Sequence, residues 1–142
     1  MTAVAIRSTG DPIRVIGHRG ASGHRPENTI LAFAHAQQLG AEWVETDLRP
    51  TADGGLALIH DPSVDRTTDG TGRVDELSLD EIRTLDAGGW YGAEYAGAGV
   101  PTLQDLLDWS SAGGCGICLH VDSRLDGGEM AGIAQAIASV GE

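Results

Sequence analysis

The sequence is poor in basic residues, aromatics and cysteine, and it has no long apolar run. Nine Lys and Arg stand against 21 Asp and Glu, a formal net charge of −12. That imbalance argues against nucleic acid and anionic membrane as partners, because both are held by basic patches. A small phosphate ester stays open as a ligand, since a bound cation and one or two arginines can reverse the potential within a single site. No apolar stretch reaches the length of a membrane span. Residues 1–14 have no apolar core of the signal-peptide kind, so the expected compartment is the cytoplasm. The only cysteines are Cys115 and Cys118, spaced as in a redox pair or half a zinc site. No second pair exists, and residues three apart on a strand face opposite sides. Both are therefore read as small buried apolar residues. Aromatics make up 4%, and three of them, Trp90, Tyr91 and Tyr95, fall in one segment where they could wall a cleft or form a small local core.

What is present fits one globular domain. The length of 142 residues, with 41% hydrophobic and 21% charged, is enough for a sizeable core. Ile13 to Ile16 reads as a strand ending near Gly17. Asn28 or Thr29 can cap a helix that runs to Leu39 and stops at Gly40, with Ile30, Leu31, Phe33, Ala34 and Gln37 forming its stripe. Trp43 to Leu48 reads as a second strand and Leu56 to Ile59 as a third. Asp53-Gly54 between them is a two-residue hairpin signal, which would set Asp47 directly across from His60. Residues 61–99 form an excursion rich in Asp, Gly and Thr, with a capping box at Ser78 and Glu81. Thr102 to Trp109 reads as a helix burying Leu103, Leu106 and Leu107. Ile117 to Val121 reads as a strand, and Glu129 to Val140 as a helix of small residues. The alternation of strand and helix predicts a parallel α/β sheet.

Chemistry-bearing residues cluster where the apolar runs end: His18-Arg19, Glu45 and Asp47, and His60. Glu45 and Asp47, two apart on a strand, share a face with Trp43, while Val44 and Leu48 mark the packed face. Two carboxylates on one face repel unless a cation or protons intervene. Two histidines at strand ends suit base and acid work near neutrality, and Arg19 offers a planar fork to phosphate oxygens. Arg19 has a plainer role available, an ion pair with Glu27 or a nearby Asp, and the two roles are compatible. Asp122 and Arg124 alternate with His120 along the last strand and could add a third carboxylate and a second cation. His24 and His35 read as surface residues. Together these residues suit metal-assisted cleavage of a phosphate ester.

The same residues, taken in order, resemble the glycerophosphodiester phosphodiesterase family. The resemblance runs from His18-Arg19-Gly20 and Pro26-Glu27-Asn28-Thr29 through Glu45-x-Asp47, Thr51 to Gly54 and His60-Asp61. It continues with Arg66 to Gly72, Leu85 to Gly88 and Pro101-Thr102-Leu103. It implies a TIM-type (β/α) barrel that is incomplete here: the first three barrel strands, a β-hairpin and a small inserted subdomain at about 62–100. Residues 1–142 would then be the N-terminal part of one phosphodiesterase barrel domain. It implies His18 and His60 as the acid–base pair, Arg19 and Arg124 on the phosphate, and Glu45, Asp47 and Asp122 around a divalent cation, Mg²⁺ or Ca²⁺. At the third ligand the family commonly has Glu two residues before Lys, where this chain has Asp122 and Arg124. The implied reaction converts a small-molecule glycerophosphodiester to glycerol 3-phosphate and an alcohol, within lipid and glycerol metabolism. Two alternatives accompany it. One is a related phosphodiesterase acting on lysophospholipid or sphingomyelin-type lipids. The other is an inactive fragment that needs a complementary barrel half or self-association, because an unclosed barrel leaves strand edges and apolar faces uncovered.

Overall fold

The computed structural model describes residues 3–6, 13–121 and 127–138. Five strands form one sheet: β1 (Ala3–Ile6), β2 (Arg14–His18), β3 (Trp43–Pro50), β4 (Leu56–Leu58) and β5 (Gly116–Val121). Helices α1 (Ile30–Gln38), α2 (Leu79–Arg83), α3 (Leu103–Ser111) and α4 (Gly127–Ala138) connect or follow them. β2, β3 and β5 run parallel, with Gly17 against Val44 and Val44 against Ile117. β5 lines one whole flank of β3, at residues 43–48. The other flank is shared: β2 pairs with residues 43–45 and antiparallel β4 with residues 48–50. The sheet stays open, an α/β structure with the first strands of a (β/α) barrel and no closure.

α1, α2 and α3 each begin where a hydroxyl takes over an orphan amide. Thr29 Oγ1 accepts from Ala32 N (3.2 Å) and donates to Pro26 O (2.7 Å), which starts α1 and anchors the loop before it. Ser78 with Glu81, and Thr102 with Asp105, form complete capping boxes at α2 and α3. Gly40, at φ +88°, ends α1. The buried face of α1 is Ala32, Phe33 and Ala36, while Leu31 is 45% exposed. The expected stripe holds at Phe33 and Ile30, which meet the core, and fails at Leu31 and Gln37, which are exposed; Ala32 and Ala36 complete the buried face, where small side chains allow close approach. α4 begins two residues before the expected start.

Two apolar clusters hold the molecule. The larger joins Phe33, Ala36, Val44, Leu48, Leu58, Leu106 and Leu107 between the sheet, α1 and α3. The smaller joins Ala57 and Ile59 to Val64, Val74, Ile82, Ala87 and Val100 of the excursion. Trp90, Tyr91 and Tyr95 lie outside it and make edge contacts with one another, with Arg25 over the Tyr95 ring. Each fully buried aliphatic or aromatic side chain in these clusters contributes about 1.5–3 kcal/mol.

Three local expectations need correction. β3 and β4 pair as Leu48 with Leu58 and Pro50 with Leu56, so the loop holds residues 51–55 and Asp53-Gly54 is not a two-residue turn. Thr51 N donates to Gly55 O (2.9 Å) and Thr51 Oγ1 to Asp53 Oδ1 (2.6 Å), which closes the longer loop. The shift sets Asp47 against Ile59, whose N donates to Asp47 O (3.1 Å), instead of against His60. Cys118 is exposed and Cys115 is half-buried against the core, since Cys115 precedes β5 and Cys118 lies on the face of β5 opposite Ile117 and Leu119. Finally, the excursion carries two 3₁₀ turns, at Val74–Glu76 and Ala93–Tyr95, besides its one helix.

Candidate active site and cation cluster

The parallel strands deliver their C-terminal ends to one rim. His18, the last residue of β2, lies beside Glu45 in the register, with Nε2 3.9 Å from Glu45 Oε2. The chain then turns through two left-handed residues, Arg19 at φ +52° and Gly20 at φ +76°. Arg19 N donates to Glu45 Oε2 (3.0 Å) and Gly20 N to Gly17 O (3.1 Å), which offsets the strain at Arg19. Glycine is needed at position 20 for a second reason: a Cβ there would lie 2.6 Å from the Ala32 carbonyl carbon. The loop thus sits directly on α1, and Arg19 is turned back over β3.

Asp47 is the enclosed carboxylate, 5% exposed. Its Oδ2 accepts from Asn28 Nδ2 (3.1 Å) and lies 3.2 Å from Arg19 Nε. Its Oδ1 lies 3.0 Å from His120 Nδ1. Asn28, itself left-handed at φ +56°, also accepts from Thr46 Oγ1 (2.9 Å). Arg19 Nε is buried and makes no hydrogen bond, so it faces Asp47 by charge alone.

From Arg19 a chain of alternating charges runs to His60. Arg19 Nη1 donates to Glu27 Oε1 (3.0 Å). Arg66 donates to both Glu27 oxygens (2.8 and 3.0 Å) and to both Asp61 oxygens (2.6 and 3.0 Å). Asp61 Oδ1 lies 2.7 Å from His60 Nδ1. The Arg66 hydrogen bonds hold the Asp61 carboxyl well below the usual range, against a partial burial that pushes it up. An ionised carboxylate only accepts, so His60 Nδ1 bears the proton donated to Asp61 and Nε2 is the ring nitrogen left for other partners. Burial pushes Glu27 up, but the hydrogen bonds and charges of Arg66 and Arg19 outweigh it and leave the group below its ordinary value.

Of the residues singled out in the sequence, His18, Arg19, Glu45 and Asp47 are in mutual contact. His60 joins them through Asp61, Arg66 and Glu27. Asp122 and Arg124 lie outside the described residues. Both roles weighed for Arg19 allow the ion pairs found, with Glu27 and with Asp47. Sequence reasoning missed the bracing by Asn28, the bridge by Arg66 and the place of His120. Asn28 and Arg66 were visible only as members of short motifs. His120 needed the register of β5 on β3, which aligns it with Asp47. The ligand atoms of Glu45, Asp47 and His120 all lie within 4.8 Å of one another, a grouping compatible with one metal ion. A separate cleft of about 340 Å³ between α1 and the second 3₁₀ turn is lined by Thr29, Ile30, Leu31, Tyr95 and Gly97, and by none of the rim residues.

Comparison with known proteins gives a consistent picture. The model of the glycerophosphoryl diester phosphodiesterase family matches residues 18–130. A glycerophosphodiester phosphodiesterase of Caldanaerobacter subterraneus is 50% identical over 94 residues, covering 66% of this chain and 39% of the relative. The crystal structure of a glycerophosphodiester phosphodiesterase from Agrobacterium tumefaciens superposes with a TM-score of 0.80 at 40% identity, over 87% of this chain and 52% of that one. A phosphodiesterase of Oleispira antarctica, solved with the product sn-glycerol-3-phosphate, superposes with a TM-score of 0.76 at 38% identity, over 88% of this chain and 50% of that one. The chain spans about two-fifths of the length of the curated relatives it matches.

Proposed function

Since the chain belongs to the glycerophosphoryl diester phosphodiesterase family, we propose that its rim carries out the hydrolysis of a glycerophosphodiester to glycerol 3-phosphate and an alcohol. The observation that carries this reading is the parallel register that sets His18 beside Glu45 while Arg19 closes on Asp47. It gathers a titratable base, a phosphate-type cation and two metal-type carboxylates at one strand end.

In this reading His18 and His60 are the acid–base pair. His60 is oriented by Asp61 through Nδ1, which leaves Nε2 to take a proton from the attacking oxygen or, once protonated, to give one to the leaving alkoxide. His18 performs the complementary transfer. The attacking oxygen belongs to water or to the substrate's own glycerol hydroxyl, the latter giving a cyclic phosphate first. Arg19, with Arg124 as a second cation, holds the phosphate oxygens by charge-assisted hydrogen bonds. A divalent cation on Glu45 and Asp47, with Asp122 as a further ligand, would polarise a phosphoryl oxygen and offset the charge that develops there. The donor set fits such a group: two carboxylates, 18% and 7% exposed in their side chains, stand on one face, with Arg19 Nε 3.2 Å from Asp47 Oδ2.

The test is hydrolysis of glycerophosphocholine by the purified chain, with Mg²⁺, Ca²⁺ or Mn²⁺ and with EDTA as control. The expected result is cation-dependent release of glycerol 3-phosphate. His18→Ala and His60→Ala should each lower turnover by about 10²-fold or more, with the circular dichroism of the parent retained. Turnover unchanged in either variant would remove that histidine from the mechanism. No turnover by a folded, cation-loaded chain would assign the reaction to a longer barrel.

A further inference from the structure

We propose that His120 is a direct ligand of the cation site, which therefore selects a borderline divalent ion, of the Mn²⁺ or Zn²⁺ kind, over Mg²⁺ and Ca²⁺. The proposal rests on the reading of this rim as a cation-dependent phosphodiesterase site, and it changes the ligand set that the sequence suggested.

The placement of His120 follows from the strand register. β5 runs parallel to β3 with His120 directly beside Asp47, one step beyond Leu119 beside Thr46. Side chains alternate along β5: Ile117, Leu119 and Val121 are half-buried and pack on the core, while Cys118 and His120 are exposed. The His120 side chain is 71% exposed, so packing does not account for its position, yet Nδ1 sits 3.0 Å from Asp47 Oδ1. One nitrogen of the ring and one oxygen each of Glu45 and Asp47 fall within 4.8 Å of one another. Asp47, at 7% side-chain exposure, is held from behind by Asn28 and Arg19, so the acidic side of the cluster is fixed before any ion arrives.

The chemistry follows from the donor set. Mg²⁺ and Ca²⁺ are hard ions that take oxygen ligands. An imidazole nitrogen beside two carboxylates favours ions later in the first transition row.

The decisive experiment is titration of the EDTA-stripped 142-residue chain with MnCl₂, ZnCl₂, MgCl₂ and CaCl₂ by calorimetry. It is paired with pulsed electron paramagnetic resonance of the Mn²⁺-loaded protein to detect a coordinated ¹⁴N. Parent, His120→Asn and Glu45→Gln are compared. The expected result is a directly coupled nitrogen in the parent that is lost in His120→Asn. The same variant should bind Mn²⁺ and Zn²⁺ about tenfold or more weakly while Mg²⁺ affinity changes by less than about twofold. His120 is exposed, so this substitution leaves the core untouched. Mn²⁺ bound without nitrogen coupling, or an unchanged preference in His120→Asn, overturns the proposal. If Glu45→Gln still abolishes binding in that case, the phosphodiesterase reading of the rim survives; if Glu45→Gln leaves binding intact, that reading falls as well.

Discussion

Arg66 lies in the excursion, yet its guanidinium makes four charge-assisted hydrogen bonds, two to Glu27 and two to Asp61. It thereby ties the loop after β2 to the segment that presents His60. Arg66→Ala should lower turnover by about 10- to 100-fold by loosening His60, with KM little changed, and Arg66→Lys should restore only part of it because the fork geometry is lost. Steady-state kinetics on the folded variants checks this. The same residue predicts an acid-dependent loss of stability. Asp61 and Glu27 both have folded-state values below their ordinary ones, near 4 in an unfolded chain. Their contribution is therefore fully present above that range and is lost as the pH falls through the folded values. Arg66→Ala should be less stable than the parent at pH 7, and the gap should shrink towards pH 3 in urea titrations. A gap that stays constant with pH would mean that Arg66 acts by packing instead of by charge.

At the scale of elements, the loop-to-helix contact at Gly20 is the tightest joint of the rim. Gly20 and Gly40 both have positive φ, +76° and +88°, but only Gly20 would drive a Cβ into α1; nothing lies within 4 Å at Gly40. Gly40→Ala should cost about 1–2 kcal/mol from backbone strain alone. Gly20→Ala should cost clearly more, and it should displace the His18–Arg19 turn as well. Thermal melts of the two variants separate strain from collision. Several element ends were legible in the sequence because residues state them locally: Thr29 and Gly40 around α1, and Ser78 with Glu81 at α2. What was not legible depends on partners far along the chain. Ala3–Ile6 is too short to declare itself and is a strand because β2 offers an edge. The β3–β4 loop looked like a two-residue turn because Asp53-Gly54 has that composition, but Thr51 and Gly55 close a longer loop and move the register by one. His120 was hidden for a separate reason: it meets Asp47 on the other flank of β3, through the register of β5.

At the scale of the whole molecule, the proposed cation site of Glu45, Asp47 and His120 makes metal binding a stability term. An ion that binds the folded state alone adds about 2.7 kcal/mol at 100 times its Kd, or roughly 5–10 °C in Tm for a chain of this size. Saturating divalent cation should raise Tm by that amount, EDTA should reverse it, and Glu45→Gln should abolish it in a thermal-shift measurement. Among the described residues β5 pairs on one side only, with β3. An open parallel edge of this kind predicts an apparent mass that rises with concentration in sedimentation experiments. The opposite end of the sheet has a different character. β2 has two flanks; β3 takes one and β1, running antiparallel from Ala3 against Gly17 to Ile6 against Arg14, takes the other. In a closed eight-stranded ring that second flank belongs to the last strand of the circle. Ring closure and the β1 hairpin thus compete for one row of amides and carbonyls. A later strand that closed such a ring on this flank of β2 would first have to displace β1.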